Sequence, residues 1–286
     1  YNCGITFNDS FWPEFYNANL DPYGWKEKKF DDSSWKNAVE VIPEKEGLWG
    51  CYHSQSHFFP WVNLIPRDIP YLEFINVYPI SLVAGEVIQE REASTHDTAQ
   101  RMTLEKIISL QKTSISGLEN LISGKGNVVI MNSALKEDEK SFDGIHNATI
   151  VFDFGEILNG RPCFTIECEE SAILDIGYST RLKNGQLVPY VSYRTANADQ
   201  YIARKGLQKW SSFNWRHFRY IQITFRNLTH PLYLKNFFVE KQDYPFKIRG
   251  KFICSNKILN KSFEMGEKTL KLSTTDRFMD NQSREA

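Results

Sequence analysis

The chain has 286 residues, and its 34 basic and 35 acidic residues give a formal net charge of -1. This length allows two domains that each bury a core, and the balanced charge gives no electrostatic reason to expect nucleic acid or an anionic membrane surface as a partner. Because no run of about 18 apolar residues occurs, we also predict that no segment inserts into a membrane.

The cysteines indicate neither a disulfide framework nor a metal site. They are odd in number, lack CxxC spacing, and stand at Cys3, Cys51, Cys163, Cys168 and Cys254. Cys163 and Cys168 are five positions apart in one predicted strand, so they project to opposite faces and are poorly placed to bridge each other. We therefore expect buried free thiols.

Residues 1–66 are dense in aromatic residues and turn formers. In the stretch FDDSSW, Phe30 and Trp35 flank a polar turn in which Asp31 and Ser33 can bond their own backbone. The stretch resembles a signature of galactose-binding-like jelly rolls that are attached to many glycoside hydrolases. The resemblance implies a partial β-sandwich over residues 1–66, in which Trp35 fills the core and no ligand is assigned.

The stretch CYHSQSH contains two histidines four positions apart, His53 and His57, a spacing that can hold a metal ion on a helix. No glutamate stands between them as in HExxH, and the following Phe58, Phe59 and Pro60 disfavour a helix. We assign no metal site here and expect surface or packing roles.

A linker and a first set of strands follow. The two prolines of PRDIPYLEF, residues 66–74, favour an extended connection, so we place a domain boundary after residue 66. Residues 71–88 alternate loosely between apolar and polar side chains and predict strands.

Residues 89–143 are predicted to be a helical insertion. Leu104, Ile107 and Ile108 recur at helical spacing after Thr103, which can cap a helix. A second set of apolar residues at helical spacing follows a second possible cap and ends before a glycine: Ser116, Leu118, Leu121, Ile122 and Gly124. The insertion ends in a charged stretch that reads as a solvated loop.

The β signal is clearest after Asn147. Strand-length runs of branched and aromatic residues, bounded by Gly, Asn or Pro, occur in ATIVFDFGEILNGRPCFTIE, AILDIGYSTRL, HFRYIQITF and LYLKNFFVEK. The carboxylates of this region are expected to face solvent rather than to act as acids, and they are Asp153, Glu156, Glu167 and Asp175. The chain has no GxSxG, GxxxxGK[ST] or GxGxxG motif, so we expect neither that nucleophile elbow nor a phosphate-binding loop, and no cofactor.

The last stretch changes character halfway. Ile258, Leu259, Phe263 and Leu270 recur on one helical face after Ser255, which can cap the helix. Five charged residues then follow within ten positions, without an apolar period: Asp276, Arg277, Asp280, Arg284 and Glu285. Taken alone, such a cluster after a helix is typical of a solvated loop.

The order of these residues is similar to a family segment. DRFMDNQSREA resembles the stretch D-x-P-x-D-C-P-x-R-E by which bacterial α-L-rhamnosidases enter an (α/α)6 barrel. Asp276, Asp280, Arg284 and Glu285 match, whereas the proline and cysteine positions hold Phe278, Asn281 and Gln282. The phrases VFDFGEILNGRP, DIGYSTRLKNG and WRHFRYIQI resemble the jelly-roll domain that precedes this barrel.

The resemblance implies a catalytic role for this segment. In the family, the residue at the position of Glu285 is the general acid that protonates the leaving oxygen, and the one at Asp280 binds sugar hydroxyls. Asp276 and Arg284 are further substrate-binding candidates. An inverting glycosidase also needs a second carboxylate about 6.5–9.5 Å away to activate water, and we expect this general base to lie beyond Ala286.

Together these observations predict a mainly β chain that is the N-terminal portion of a rhamnosidase. Two β-sandwich domains, a partial one over 1–66 and a jelly roll over 67–252 with the insertion at about 89–143, precede the first helix of the barrel over 253–286. The expected activity is removal of terminal α-L-rhamnose from oligo- or polysaccharides by inversion, in a secreted or periplasmic bacterial protein, with a cytoplasmic location also open. A non-catalytic carbohydrate-binding β-sandwich protein, or a related glycosidase or lyase for another sugar, remains an alternative.

Overall fold

The computed structural model describes residues 13–22, 24–38, 66–89, 97–109, 115–123, 127–131, 145–169, 172–192, 195–276 and 278–279. The chain divides into two compact units, Tyr1–Leu20 with Tyr71–Ala286, and Asp21–Pro70. The three predicted domains, 1–66, 67–252 and 253–286, stay predictions.

The described residues form mostly strands, as the sequence predicts. The strands are β1 (Phe15–Asn17), β2 (Glu73–Val77), β3 (Ser81–Gln89), β4 (Lys106–Ser109), β5 (Ile115–Ser116), β6 (Val128–Ile130), β7 (Ile145–Cys168), β8 (Ile173–Ser179), β9 (Leu182–Lys183), β10 (Gln186–Leu187), β11 (Tyr190–Ser192), β12 (Thr195–Ala196), β13 (Ala198–Ile202), β14 (Gly206–Ser211), β15 (Arg216–Arg226) and β16 (Leu232–Asp243). The helices are α1 (Thr98–Leu104), α2 (Glu119–Ser123) and α3 (Lys257–Leu272). The mainly β fold class is confirmed.

Twelve of these strands build one mixed sheet within the described residues. Its order is β1-β13-β8-β15-β7-β16-β6-β5, while β14 and β3 also pair with β7, β2 pairs with β16, and β4 pairs with β3. The short β1 runs parallel to β13, and the main pairs around β7 are antiparallel. One strand, β7, therefore has four partners.

The two ends of β7 have different neighbours. Residues 145–153 lie between β3 and β15, and residues 160–168 lie between β16 and β14. Between these parts the register with β15 shifts, and Gly155 has a φ of +80°, a backbone conformation that glycine adopts without strain. A Cβ at Gly155 would also come within 2.7 Å of Ile80 Cδ1. The irregular stretch lets β7 bend from one part of the sheet to the other.

A shared aromatic core lies between the two parts of β7. The ring of Phe152 is centred 4.2 Å from that of Phe237, and Phe237 is paired in register with Phe164 at the other end of β7. Phe154 adds contacts to Phe218 and Phe237 at 5.8 and 6.3 Å. All five rings are buried, and each contributes about 1.5–3 kcal/mol of transfer free energy. Two layers of sheet thus pack face to face, as the predicted sandwich requires.

The insertion predicted as helical contains short strands as well as helices. Helix α1 is capped by Asp97, whose carboxylate accepts a hydrogen bond from a first-turn amide at 2.9 Å. The predicted cap Thr103 lies inside α1 instead, where its hydroxyl donates to a carbonyl one turn earlier. Ile107 belongs to β4 and Ser116 to β5, because pairing with other strands outweighs the helical spacing of this stretch.

The unit Asp21–Pro70 contains the predicted polar turn. Ser33 N donates to the Asp31 carboxylate at 3.0 Å, and Trp35 N donates to a backbone carbonyl three residues earlier at 2.8 Å. The Trp35 ring lies 5.5 Å from that of Phe30, yet 50% of Trp35 is exposed. The prediction that Trp35 fills a core is therefore wrong, because the turn leaves half of this side chain in water.

Asp175 does not face solvent as predicted but lies fully buried in an ion cluster. Its carboxylate accepts hydrogen bonds from Arg101 at 2.5 Å and from Arg226. Arg226 also binds the buried Glu105, with Nη1 2.6 Å from Oε1. A buried carboxylate is tolerated only beside opposite charge and donors, so α1 and β15 have to deliver these arginines to β8. The cluster fastens α1 to the sheet.

A second buried ion pair joins β13 to β15. Asp199 is fully buried and binds Arg216, which is 2% exposed. The second carboxylate oxygen of Asp199 accepts a hydrogen bond from the Tyr178 hydroxyl at 2.6 Å. The backbone N–H of Glu14 donates to Asp199 at 2.7 Å, and the Glu14 carboxylate accepts from Phe213 N at 2.7 Å. The short β1 is held to the sheet through these polar contacts.

The first prediction concerns the Asp199–Arg216 pair. Asp199→Asn removes the charge but keeps the shape, so Arg216 loses its buried counter-ion and the free energy of unfolding should fall by about 3–5 kcal/mol. The matched control is Asp153→Asn, because its partner Arg219 is 36% exposed and the expected loss is only about 1 kcal/mol. Urea unfolding measures both, and equal losses would contradict the prediction.

The second prediction concerns Glu14. Burial, and then the charge of Asp199, raise the pKa of Glu14 to about 6, so the folded state holds this proton more tightly than the unfolded state. The protonated Glu14 contributes to the free energy of unfolding below about pH 4.5, and this contribution is lost as the pH rises through about 6. The loss is about 1–2 kcal/mol, since Glu14 is only partly buried. Glu14→Gln should remove this loss. Urea unfolding of parent and variant between pH 4.5 and 7.5 tests it, and parallel pH profiles would refute it.

Candidate active-site segment

Helix α3 leads into the predicted catalytic segment. Asn256 caps it, and its side-chain oxygen accepts hydrogen bonds from the N–H groups of Ile258 and Leu259 at 2.9 and 3.4 Å. The predicted cap Ser255 is therefore one residue too early. The helix itself, with its predicted apolar face, is confirmed.

The apolar face of α3 is exposed. No residue of the helix is buried, and its large apolar side chains are each at least 45% exposed: Ile258, Leu259, Phe263, Met265 and Leu270. The ring of Phe263 stacks on that of Phe252 at 5.3 Å. An amphipathic helix usually buries such a face against another element, so α3 presents a surface suited to further helical packing.

The chain turns back on itself directly after α3. Ser273 N donates to a helix carbonyl at 2.9 Å, and the buried hydroxyl of Thr274 donates to Leu270 O at 2.7 Å. Met279 N then donates to Ser273 O at 2.8 Å, and Thr274 forms an antiparallel bridge with Phe278. These bonds bring Thr274 and Phe278 together directly after α3 and so form a turn.

This turn carries one of the four predicted site residues. Asp276 lies within it and is exposed, a position that leaves its carboxylate accessible from solvent. The three other predicted residues lie outside the described residues: Asp280, Arg284 and Glu285. Their roles as sugar ligand, substrate contact and general acid stay predictions.

The structure adds two polar residues at the end of α3 that the sequence did not single out. Asn159 in β7 is 2% exposed, and its side-chain N–H donates to Leu272 O, at the end of α3, at 2.5 Å. His217 in β15 stands opposite Asn159, with Nδ1 2.6 Å from Asn159 Oδ1. Burial lowers the pKa of His217, which favours its neutral form. Both residues lie in the sequence stretches that resemble the family. Because these stretches show only a strand pattern, the sequence does not indicate that either residue contacts a helix.

The sheet carboxylates are paired and do not form a site of two acids. Asp153, Glu156, Glu167 and Asp175 bind Arg219, Lys268, Lys235, and Arg101 with Arg226, respectively. The hydrogen bond from Arg219 lowers the pKa of Asp153, which makes that group a poor proton donor at neutral pH. The expectation that these carboxylates are not catalytic acids therefore fits their contacts, although Asp175 is buried rather than solvated.

Neither a metal-binding cluster nor a membrane-spanning helix occurs among the residues that the structure describes. Among the residues that the structure describes, no group of three or more His, Cys, Asp or Glu side chains could hold a metal ion. The His53 and His57 pair lies outside them. The helices described here are all too short or too polar to cross a membrane. Cys163 and Cys168 are buried free thiols, as predicted, whereas the free thiol of Cys254 is only partly buried.

Comparisons with known proteins show which domain family the central strands of the sheet resemble. Residues 144–239, from just before β7 into β16, match the family model for the bacterial alpha-L-rhamnosidase concanavalin-like domain. An alpha-L-rhamnosidase of Alteromonas sp. (strain LOR) is 26% identical over 129 residues, which is 43% of this chain and 14% of that protein.

Two solved structures share the fold. The GH78 family rhamnosidase of Bacillus sp. GL1 aligns with a TM-score of 0.51 and 24% identity over 66% of this chain and 19% of that one. The alpha-L-rhamnosidase of Dictyoglumus thermophilum aligns with a TM-score of 0.54 and 17% identity over 95% of this chain and 22% of that one.

The chain thus spans between about a seventh and a fifth of the length of these relatives. The family model covers the bent strand β7, its partners β14 and β15, the strand β8 that pairs with β15, and most of β16, which together hold the aromatic core. The resemblance predicted from the sequence motifs is confirmed for one domain: residues 144–239 match the concanavalin-like domain of bacterial alpha-L-rhamnosidases.

Proposed function

We propose that this chain is part of a glycoside hydrolase that removes terminal α-L-rhamnose from oligo- or polysaccharides with inversion at the anomeric carbon. The observation that carries the proposal is the match of residues 144–239 to a rhamnosidase-family domain. Helix α3 begins at Lys257, 18 residues after the domain ends at residue 239, and it leads into the segment that contains Asp276, Asp280, Arg284 and Glu285. The exposed apolar face of α3 supports it further, because a catalytic helical domain would bury that face.

In this mechanism Glu285 acts as the general acid. Its proton passes to the glycosidic oxygen as the bond from that oxygen to the anomeric carbon breaks, so that the leaving group departs as a neutral alcohol. A carboxylic acid keeps this proton near neutral pH only if burial or a neighbouring carboxylate raises its pKa. Asp280 stands five residues earlier and would bind sugar hydroxyls close to that acid.

The other half of the reaction needs a general base. A second carboxylate, about 6.5–9.5 Å from the acid, removes a proton from water as the water attacks the anomeric carbon from the opposite face. Asp153, Glu156, Glu167 and Asp175 of the sheet each have a cationic partner, and we propose that the base is a residue outside this chain. Asp276 and Arg284 are proposed to contact the substrate, and a secreted or periplasmic location would give the enzyme access to glycans.

The third prediction tests the acid. In a protein that contains this chain together with its catalytic domain, Glu285→Gln should lower kcat/KM by about 10²–10⁴-fold. The loss should be larger for an alkyl α-L-rhamnoside than for a nitrophenyl one, because a phenolate oxygen of low pKa needs less protonation to leave. The measurement is initial-rate kinetics on both substrates, with unfolding midpoints to show that the variant is folded.

The control for this prediction is Glu264→Gln on α3. Glu264 is 65% exposed and pairs with Lys261, so the same change of charge close to the segment should leave the kinetics unaltered. Undiminished turnover by Glu285→Gln would remove Glu285 from the role of acid. A parent protein that binds rhamnose-containing glycans but hydrolyses none would support the non-catalytic carbohydrate-binding alternative instead.

The fourth prediction tests the stereochemistry. Inversion at the anomeric carbon of an α-L-rhamnoside releases β-L-rhamnose first, and the α anomer then accumulates only by mutarotation. Proton NMR of the anomeric region, recorded within the first minutes of hydrolysis, distinguishes the two anomers. Initial release of the α anomer would mean retention and would contradict the two-carboxylate inverting mechanism.

A further inference from the structure

A buried amide side chain joins the sheet to the end of α3. Asn159 lies in β7 and donates through Nδ2 to the carbonyl of Leu272, the last residue of α3, at 2.5 Å. The carbonyls of the last helical turn have no partner within the helix. Asn159 therefore satisfies one of them from the core of the sheet, where it is only 2% exposed.

The chemistry of the partners determines the orientation of this amide. A backbone carbonyl can only accept, so the NH2 group of Asn159 must face Leu272, and its oxygen then faces Nδ1 of His217 at 2.6 Å. Nδ1 must accordingly carry a proton. Because burial lowers the pKa of His217, its ring is neutral near pH 7 with this proton on Nδ1, and it holds the amide of Asn159 in place.

A second link between α3 and β7 is exposed. Lys268 Nζ lies 3.0 Å from a carboxylate oxygen of Glu156, and the two side chains are 70% and 56% exposed. Water screens such a pair, which contributes about 0–1 kcal/mol. The hydrogen bond of Asn159 is better shielded from water, because Asn159 itself is only 2% exposed and its bond to Leu272 is partly buried.

This bond acts on the chain just before the predicted catalytic segment. Leu272 is four residues before Asp276 and eight before Asp280, and the turn that follows is closed by hydrogen bonds back to α3. Fixing the Leu272 carbonyl therefore fixes the base of the whole turn.

We propose that Asn159, held by His217, is a positioning residue that anchors the end of α3 to the sheet and thereby orients the turn that carries Asp276. The inference rests on the proposed function for its consequence in catalysis, but the anchor itself can be tested without it. In this proposal the β domain helps to position the active site and does not merely lie next to it.

The fifth prediction compares two asparagine substitutions. Asn159→Asp keeps the size of the side chain and can still accept from His217, but it loses the donor to Leu272 and turns a carboxylate oxygen toward that carbonyl. Hydrogen exchange of the amides of Ser273 and Met279 should become at least about tenfold faster. Amides of the sheet core, such as that of Phe152, should keep the exchange rates of the parent once the change in global stability is taken into account.

Asn197→Asp is the matched control. Asn197 is also buried, and its Nδ2 donates to a backbone carbonyl, that of Tyr178, at 3.2 Å, but it has no part in holding α3. The same chemical change there should leave exchange at Ser273 and Met279 unaltered. Equal acceleration by both variants, or none by Asn159→Asp, would overturn the proposal.

A measurement on the parent keeps the proposal testable if Asn159→Asp does not fold. The side-chain N–H protons of Asn159 should exchange at least about tenfold more slowly than those of a free asparagine amide, because the buried bond must open first. Exchange at the free rate would contradict the anchor.

Steady-state kinetics of the same two variants test the consequence of the anchor for catalysis. In a protein that hydrolyses rhamnosides, Asn159→Asp should lower kcat by about ten- to a hundredfold and should also raise KM, since the segment after α3 carries proposed substrate-binding residues as well as the proposed acid. Asn197→Asp should leave kcat unaltered, and an unaltered kcat for Asn159→Asp would overturn the positioning role. If the parent hydrolyses no rhamnoside, the proposed function fails while hydrogen exchange still decides whether the anchor exists.

Discussion

Strand β7 is one continuous piece of chain that must pair with strands in both layers of the sheet. Its 24 residues pair with four strands, and its aromatic side chains reach the same core from both ends. The bend at Gly155 makes this possible, because that position adopts a positive φ and leaves room for Ile80. If β7 were straight, Phe152 could not approach Phe237 while Phe237 remains paired beside Phe164, and the core would open.

Charge is buried only where this framework brings opposite charges together. Asp175 and Asp199 are completely buried on neighbouring strands, and each is matched by arginines from other elements. Such pairs add little net stability compared with apolar packing, but breaking one leaves an uncompensated charge in the core. The clusters therefore specify how α1, β1 and β15 attach to the sheet more than they strengthen it.

Polar contacts also determine how α3 attaches to the sheet. A helix whose apolar face is exposed has little hydrophobic reason to lie where it does, so polar contacts gain importance at its end. Asn159 provides such a contact from the bend region of β7, within the same sheet that holds the ion clusters. The turn after α3 would then depend on the sheet for its position.

The sequence by itself determined the mainly β class, the strands after Asn147, the resemblance to bacterial α-L-rhamnosidases, and the existence of α3, because these follow from local periodicity and from contiguous motifs. It did not determine the burial of Asp175, the exposure of Trp35, or the strands inside the insertion, since each depends on partners far away in the chain. The candidate site shows the same division. The acidic segment could be read from consecutive residues, whereas the contact between Asn159, His217 and Leu272 joins residues up to 113 positions apart, and only the folded sheet brings them together.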